Sequence, residues 1–180
     1  MTLIQYRRKR EGRTNYKKRL ILLKSRKARL VIRRTNKNII AQIIDYAPDG
    51  DKVICGANSQ ELKKLGWTYS TKSIPAAYLT GKLLHHKMKT KKIDVHKEVI
   101  VDLGIHTPLK GSRIYAVVKG MKDAGMNIPA SDDIYPKDDR ITGQHIMDYC
   151  KNQKHPHMFT TYNIDTFNET FKTISEKLKS

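Results

Sequence analysis

The sequence predicts an α/β fold: a mixed sheet of an antiparallel three-strand meander plus a strand added after a crossover helix. Helices pack on it, with a basic N-terminal arm in front and a C-terminal helical extension behind. Three observations lead there. Three β-branched stretches follow one another with only short connections, as antiparallel neighbours do. A long helical run then separates them from a fourth apolar stretch, so the chain re-enters the sheet by a crossover. Finally, residues 6–19 read YRRKREGRTNYKKR, with eight Lys or Arg among fourteen residues and one acid, Glu11. Such like charge does not pack into a core.

The chain of 180 residues suits one compact domain with extensions. The expected division is a basic arm at 1–14, an α/β domain at 15–126, and an acidic loop with a helical extension at 127–180. Apolar residues make up 38%, including three Phe and one Trp, so the core is modest. Lys plus Arg number 36 against 17 Asp plus Glu, a net charge of +19. Such an excess opposes compaction and calls for a polyanionic partner. No apolar run reaches the roughly 20 residues of a membrane helix. The apolar part of MTLIQYRRKR is far too short for a signal peptide. Cys55 and Cys150 are two isolated cysteines, not a disulfide framework. These features predict a soluble intracellular protein.

Charge is segregated along the chain. Tyr6 to Arg34 carries fourteen basic residues and one acid, whereas Gly120 to Cys150 carries six acids and three bases. A second basic run, KLLHHKMKTKK, lies at 82–92. Solubility alone does not require such polarity.

Residues 1–13 have no apolar period and read as an extended arm, disordered until something binds it. Thr14 or Asn15 caps a helix over roughly 15–25, with Tyr16, Leu20 and Leu23 on one face. RLVIRRT (29–35) alternates, Leu30 and Ile32 on one side, Val31 and Arg33 on the other. A turn at 36–38 leads to IIAQIIDYA (39–47), and PDGD (48–51) turns again into KVICGAN (52–58). Residues 59–66 predict one or two helical turns closed by Gly66. A polar loop at 67–73 precedes a long helix from Ser73 to about Lys91, with Ser73 as cap and Pro75 in its first turn.

VHKEVIVDLG (95–104) is the fourth strand signal, and Arg113 to Ala124 a helix stopped by Gly125. The acidic loop 127–139 is too long for a mere connector. A short helix from about Thr142 to Lys151 follows. Ile164, Phe167, Phe171, Ile174 and Leu178 then fall on the seam of a last helix.

Thr80-Gly81-Lys82 hints at a phosphate loop, but Ala76 and Leu83 hold places that such a loop gives to Gly and Ser or Thr. Cys150, His155, His157 and Cys55 match no zinc spacing, so no metal or cofactor is expected. His85 and His86 suggest a basic pair facing RNA or solvent. The alternative function is a metal-dependent RNA-processing nuclease with a ribonuclease-H-like sheet, its Mg²⁺ on Asp45 and Asp102 at strand ends. Too few further acids lie on suitable elements to complete that site. A membrane-surface role lacks the apolar face it needs.

Nucleic acid remains. Arg7, Arg8, Lys9, Arg10, Arg13 and Lys17 suit phosphate contacts. Tyr6, Tyr16, Trp67 and Tyr69 lie beside basic residues and suit stacking on unpaired bases, as they also suit core or rim. Thr35, Asn36 and Asn38 offer compact partners for 2′-hydroxyls, besides making the turn.

The run RLVIRRTNKNIIAQIIDYAPDGD resembles the 5S rRNA-binding family of the large ribosomal subunit, protein eighteen in bacteria and archaea and protein five in eukaryotes. Arg33, Arg34, Thr35, Asn36, Ile39, Ala41, Gln42, Ile44 and Asp45 hold the places of its pattern. AAYLTGKLL (76–84), VDLGIHTPLKGSRIYAVVKGMKDAGMNIP (101–129) and DRITGQHIMDY (139–149) extend the likeness over roughly 5–150, in the archaeal and eukaryotic form. The resemblance implies a non-catalytic constituent of the cytoplasmic ribosome. Such a protein clamps 5S rRNA and ties it to 23S-type rRNA among neighbouring proteins of the central protuberance. By position it carries RNA contacts to Arg7, Arg8, Arg10, Arg13, Arg33, Thr35, Asn36, Lys37, Lys110, Ser112 and Arg113. The tail after Asn152 matches nothing in it, and its helix is expected to cover the core or to touch a neighbouring protein.

Overall fold

The computed structural model describes residues 4–94, 97–151 and 164–179. Its sheet has four strands in the order β3-β2-β1-β4. They are β1 (Arg29–Arg34), β2 (Ile39–Asp45), β3 (Lys52–Asn58) and β4 (Ile100–Asp102). β1 and β2 pair antiparallel from Arg29↔Ile44 to Arg34↔Ile39, and β2 pairs antiparallel with β3. β4 lies parallel to β1, with Arg29, Leu30 and Val31 opposite Ile100, Val101 and Asp102. The meander and the crossover are both as the sequence predicts.

Alternation sorts the side chains into two faces. Leu30, Ile32, Ile39, Ala41, Ile43, Cys55 and Ala57 are buried on the inner face. Helices α3 (Ile74–Thr90) and α4 (Arg113–Asp123) cover it. Ser73 caps α3, accepting from the Ala76 N–H. The two helices cross at Gly81 and Gly120. A Cβ on Gly120 would stand 2.2 Å from the Tyr78 carbonyl oxygen, and one on Gly81 2.3 Å from that of Val117. Glycine here is a matter of distance, not of dihedral freedom.

Several elements depart from expectation. Among the described residues the fourth strand is three residues long, because its parallel ladder reaches only Arg29 to Val31; Val95 and His96 of the expected strand lie outside the described residues. The segment after β3, by contrast, holds the expected helical turns closed by Gly66: a 3₁₀-helix, Ser59–Leu65, with a capping box between Asn58 and Glu61. The predicted helix near 142–151 is two, α5 (Asp138–Thr142) and α6 (Gln144–Lys151), parted at Gly143 with φ +84. A side chain at Gly143 would stand 2.5 Å from the Phe167 ring.

His85 is not on a basic face. It is buried, and burial beside Lys89 and His86 lowers its pKa. Lys82 is buried too, over the Tyr78 ring, with its Nζ donating to the Ser175 hydroxyl at 2.6 Å. Ser175 lies on α7 (Ile164–Lys177). Phe167, Phe171 and Ile174 of that helix, with Leu178 just past its end, belong to the same apolar cluster as α3. The C-terminal extension therefore covers the core. His155 and His157 lie outside the described residues.

Candidate nucleic-acid interface

The outer face of the sheet is where the sequence's charge collects. Alternation along β1 puts Arg29, Val31 and Arg33 on this face, and Asp102 of β4 joins them opposite Val31. Arg29 is 1% exposed. Its Nη1 donates to Asp102 Oδ2 at 3.0 Å and its Nη2 to Asp51 Oδ2 at 2.7 Å. A buried cation survives because two carboxylates hold it.

Asp51 follows the β2–β3 turn and also receives Arg19, Nη1 to Oδ2 at 2.7 Å and Nη2 to Oδ1 at 2.9 Å. This bidentate pair holds the Asp51 carboxyl below, and the Arg19 guanidinium above, its usual range. It docks α2 (Tyr16–Lys24) on the outer face. α2 buries none of its residues, and Leu20 is 58% exposed. The predicted Tyr16–Leu20–Leu23 face is therefore corrected. The Arg19 ion pair, not an apolar stripe, sets the rotation of the helix.

Arg33 sits in a cradle. Its Nη1 donates to the Ile32 carbonyl at 2.9 Å and the Asp102 carbonyl at 3.0 Å, and Nη2 lies 3.5 Å from Asp102 Oδ1. The Gly104 N–H donates to that Oδ1 at 2.8 Å. Gly104 has φ +62, and a Cβ there would stand 2.9 Å from the Arg33 guanidinium carbon. The guanidinium is thus fixed while its outer edge stays open.

The arm crosses above. The expected extended arm instead contains one helical turn, α1 (Arg7–Arg10), with all its residues exposed. Tyr6 O accepts from the Lys9 and Arg10 N–H groups, and Arg7 pairs with Glu11 four residues on. Arg8 Nε donates to Thr14 Oγ1 at 3.0 Å, and Arg13 pairs with Glu11 at 3.2 Å. Tyr6, 74% exposed, lies 5.3 Å ring to ring from Tyr16, and Lys17 is exposed beside it. Between arm, α2 and outer face lies a cleft of about 450 Å³.

A second group gathers at the far end of β1. Thr35 and Asn38 close the hairpin turn, Thr35 Oγ1 accepting from the Asn38 N–H at 2.8 Å. Asn36 and Lys37 line an open groove with Lys72, and Thr71 Oγ1 donates to the Lys37 carbonyl at 2.9 Å. Arg113, at the start of α4, donates from Nη1 to the Lys72 carbonyl at 3.1 Å. Burial and the nearby Arg34 lower its pKa, and burial with Arg34 and Arg33 lowers that of His106. Ser112 precedes α4 but makes no cap hydrogen bond, and its Oγ is buried without a described partner. Lys110 is exposed and paired with Asp133 of the acidic loop at 2.6 Å.

Two predicted stacking residues are corrected. Trp67 is 1% and Tyr69 6% exposed. Their rings pack edge to face with each other and with Phe167 of α7 at 4.6–5.5 Å. Those faces are taken by the core, so bases cannot stack on them.

The nuclease carboxylates are separated as well. Asp102 shares the outer face with Val31, whereas Asp45 falls one residue beyond Ile44 and so on the opposite parity. Asp102 is neutralised by Arg29 and Arg33. Among the described residues no group of three His, Cys, Asp or Glu is placed to hold a metal ion.

Arg19, Arg29, Asp51, Asp102, Gly104 and His106 were not singled out for this surface from the sequence. The alternation Arg29–Val31–Arg33 was the available signal for Arg29. Nothing local announces Asp51 as its partner.

Two comparisons with known proteins give matches. Residues 3–98 match the family model described as ribosomal large subunit proteins 60S L5 and 50S L18. The large ribosomal subunit protein uL18 of Korarchaeum cryptofilum (strain OPF8) is 51% identical over 148 residues, which is 82% of this chain and 74% of that protein.

Proposed function

Because this chain belongs to the family of ribosomal large subunit proteins 60S L5 and 50S L18, we propose that it binds 5S rRNA and anchors it to large-subunit rRNA in the central protuberance. The coarser role follows from the family: it is a structural, rRNA-binding constituent of the large ribosomal subunit, not an enzyme. One observation supports the finer reading above the rest. The buried Arg29–Asp51–Asp102 network holds α2, and with it the cationic arm, against a sheet face that presents Arg33. Folding thus spends its few outer-face carboxylates on organising cations and leaves the surface positive. Phosphates are the counterpart that such a surface recognises.

Arg7, Arg8, Lys9, Arg10, Arg13 and Lys17 contact phosphates along one edge, and Tyr6 and Tyr16 stack beside them. The turn Thr35–Asn38 with Arg113 and Lys110 forms a second contact, and Ser112, its hydroxyl buried, lies beneath it. Two separated cationic areas suit a protein that bridges two RNA elements, with neighbouring large-subunit proteins covering what RNA does not.

The test is binding to 5S rRNA as a function of salt. With about eight phosphates neutralised, log K falls with log salt at a slope near −6 to −7. Deleting residues 1–13 is expected to reduce affinity at least about tenfold and flatten the slope by about 0.7–0.9 per phosphate lost, with the folded domain unchanged. Binding that ignores salt, or is no tighter than to transfer RNA, refutes the proposal.

A further inference from the structure

The cleft under the arm is more than a positive surface. It is about 450 Å³, within the size range of sites that enclose a small ligand. Its rim carries Arg8, Arg13, Lys18 and Arg19, and its floor Arg29 and Arg33, against only two carboxylates, Asp51 and Asp102. Both carboxylates are already bonded to arginines. Arg29 Nε is buried without a described partner, and Arg29 lines this cleft. One wall is apolar: Leu22, Val31 and Ile44, with Tyr16 beside them.

We propose that this cleft takes a single unpaired nucleotide of RNA, its phosphate among the arm's guanidinium groups and its base against Tyr16, Leu22, Val31 and Ile44. The inference rests on the RNA-binding role above and deepens it. A phosphate alone would leave most of the volume and the whole apolar wall unused. A double helix keeps its bases stacked away from such a wall, whereas loops and bulges splay them out. The geometry therefore selects a flipped base, not a helix.

The experiment titrates the full chain at moderate salt with four probes carrying equal charge. These are an unpaired five-nucleotide oligoribonucleotide, its abasic ribose-phosphate counterpart, a short duplex and a glutamate-rich peptide. The unpaired oligonucleotide is expected to bind about tenfold or more tighter than the other three, as one stacked base supplies. Val31→Phe fills the cleft without changing charge and is expected to erase that advantage over the abasic strand. Leu22→Trp, on a helix with no buried residues, fills it from the other side and serves if Val31→Phe misfolds, as judged by near-ultraviolet circular dichroism. Equal binding of the abasic strand, the duplex or the peptide overturns the nucleotide pocket while leaving RNA binding standing. An advantage that survives both substitutions does the same. Failure to bind any RNA overturns both readings.

Discussion

Replacing Asp102 with asparagine tests the outer-face network at the more buried of its two carboxylates. Asp102 is 6% exposed, with Oδ2 3.0 Å from Arg29 Nη1 and Oδ1 3.5 Å from Arg33 Nη2. Asparagine keeps the shape and an oxygen for the Gly104 N–H, but it sets an NH2 donor against Arg29 Nη1 where the carboxylate accepted, so the charge and one acceptor are lost together. Breaking a buried ion pair by neutralising one partner costs about 3–5 kcal/mol, because the other charge stays buried. Here Arg29 retains Asp51 at 2.7 Å, which moves the expectation to the lower end, about 3 kcal/mol. At a urea slope of about 2 kcal/mol/M, the unfolding midpoint falls by about 1.5 M with the slope unchanged. Equilibrium urea unfolding followed by circular dichroism measures this. A shift below about 0.3 M would mean that Arg29 does not depend on Asp102, and the network account would be wrong.

Other outcomes follow from the same structure. Gly120→Ala sets a Cβ 2.2 Å from the Tyr78 carbonyl and forces α3 and α4 apart, with an expected loss of about 1–3 kcal/mol or more in urea unfolding. An unchanged midpoint would show that the helices have slack. His85 is buried with its pKa below the usual 6.5, so the unfolded chain binds a proton that the folded one refuses. Stability is therefore fully present above about pH 6.5 and falls as pH drops toward the folded value. His85→Leu should flatten that part of the pH profile, and an identical profile would assign the acid sensitivity elsewhere. Phe171→Ala on α7, 8% exposed in the wild type and stacked on Tyr78, is expected to cost about 3–5 kcal/mol. A loss under about 1 kcal/mol would mean that α7 is an appendage and not part of the core.

Legibility varied with the range of the interactions involved. The meander was readable because strand alternation and turn chemistry are local: Leu30 and Ile32 alternate, and PDGD turns the chain. The start of α3 was readable for the same reason, Ser73 capping and Pro75 sitting in the first turn. The length of β4 was not, since a parallel ladder ends where its partner's register ends. Trp67 and Tyr69 misled because an aromatic beside lysines looks the same whether Phe167 covers it or not, and Phe167 is a hundred residues away in the chain. The rotation of α2 was hidden in the same manner, by Asp51.

By itself the sequence determined the strand order along the chain, the ends of α3 and α4 and the positive charge that demands a polyanion. All of these depend on neighbours within a few residues. Only the tertiary structure decided which cations are buried in the Arg29–Asp51–Asp102 network, which aromatics are core, and where the arm leaves a cleft. Those depend on partners that folding brings together from distant positions, and a carboxylate's partner cannot be read from its own surroundings in the chain.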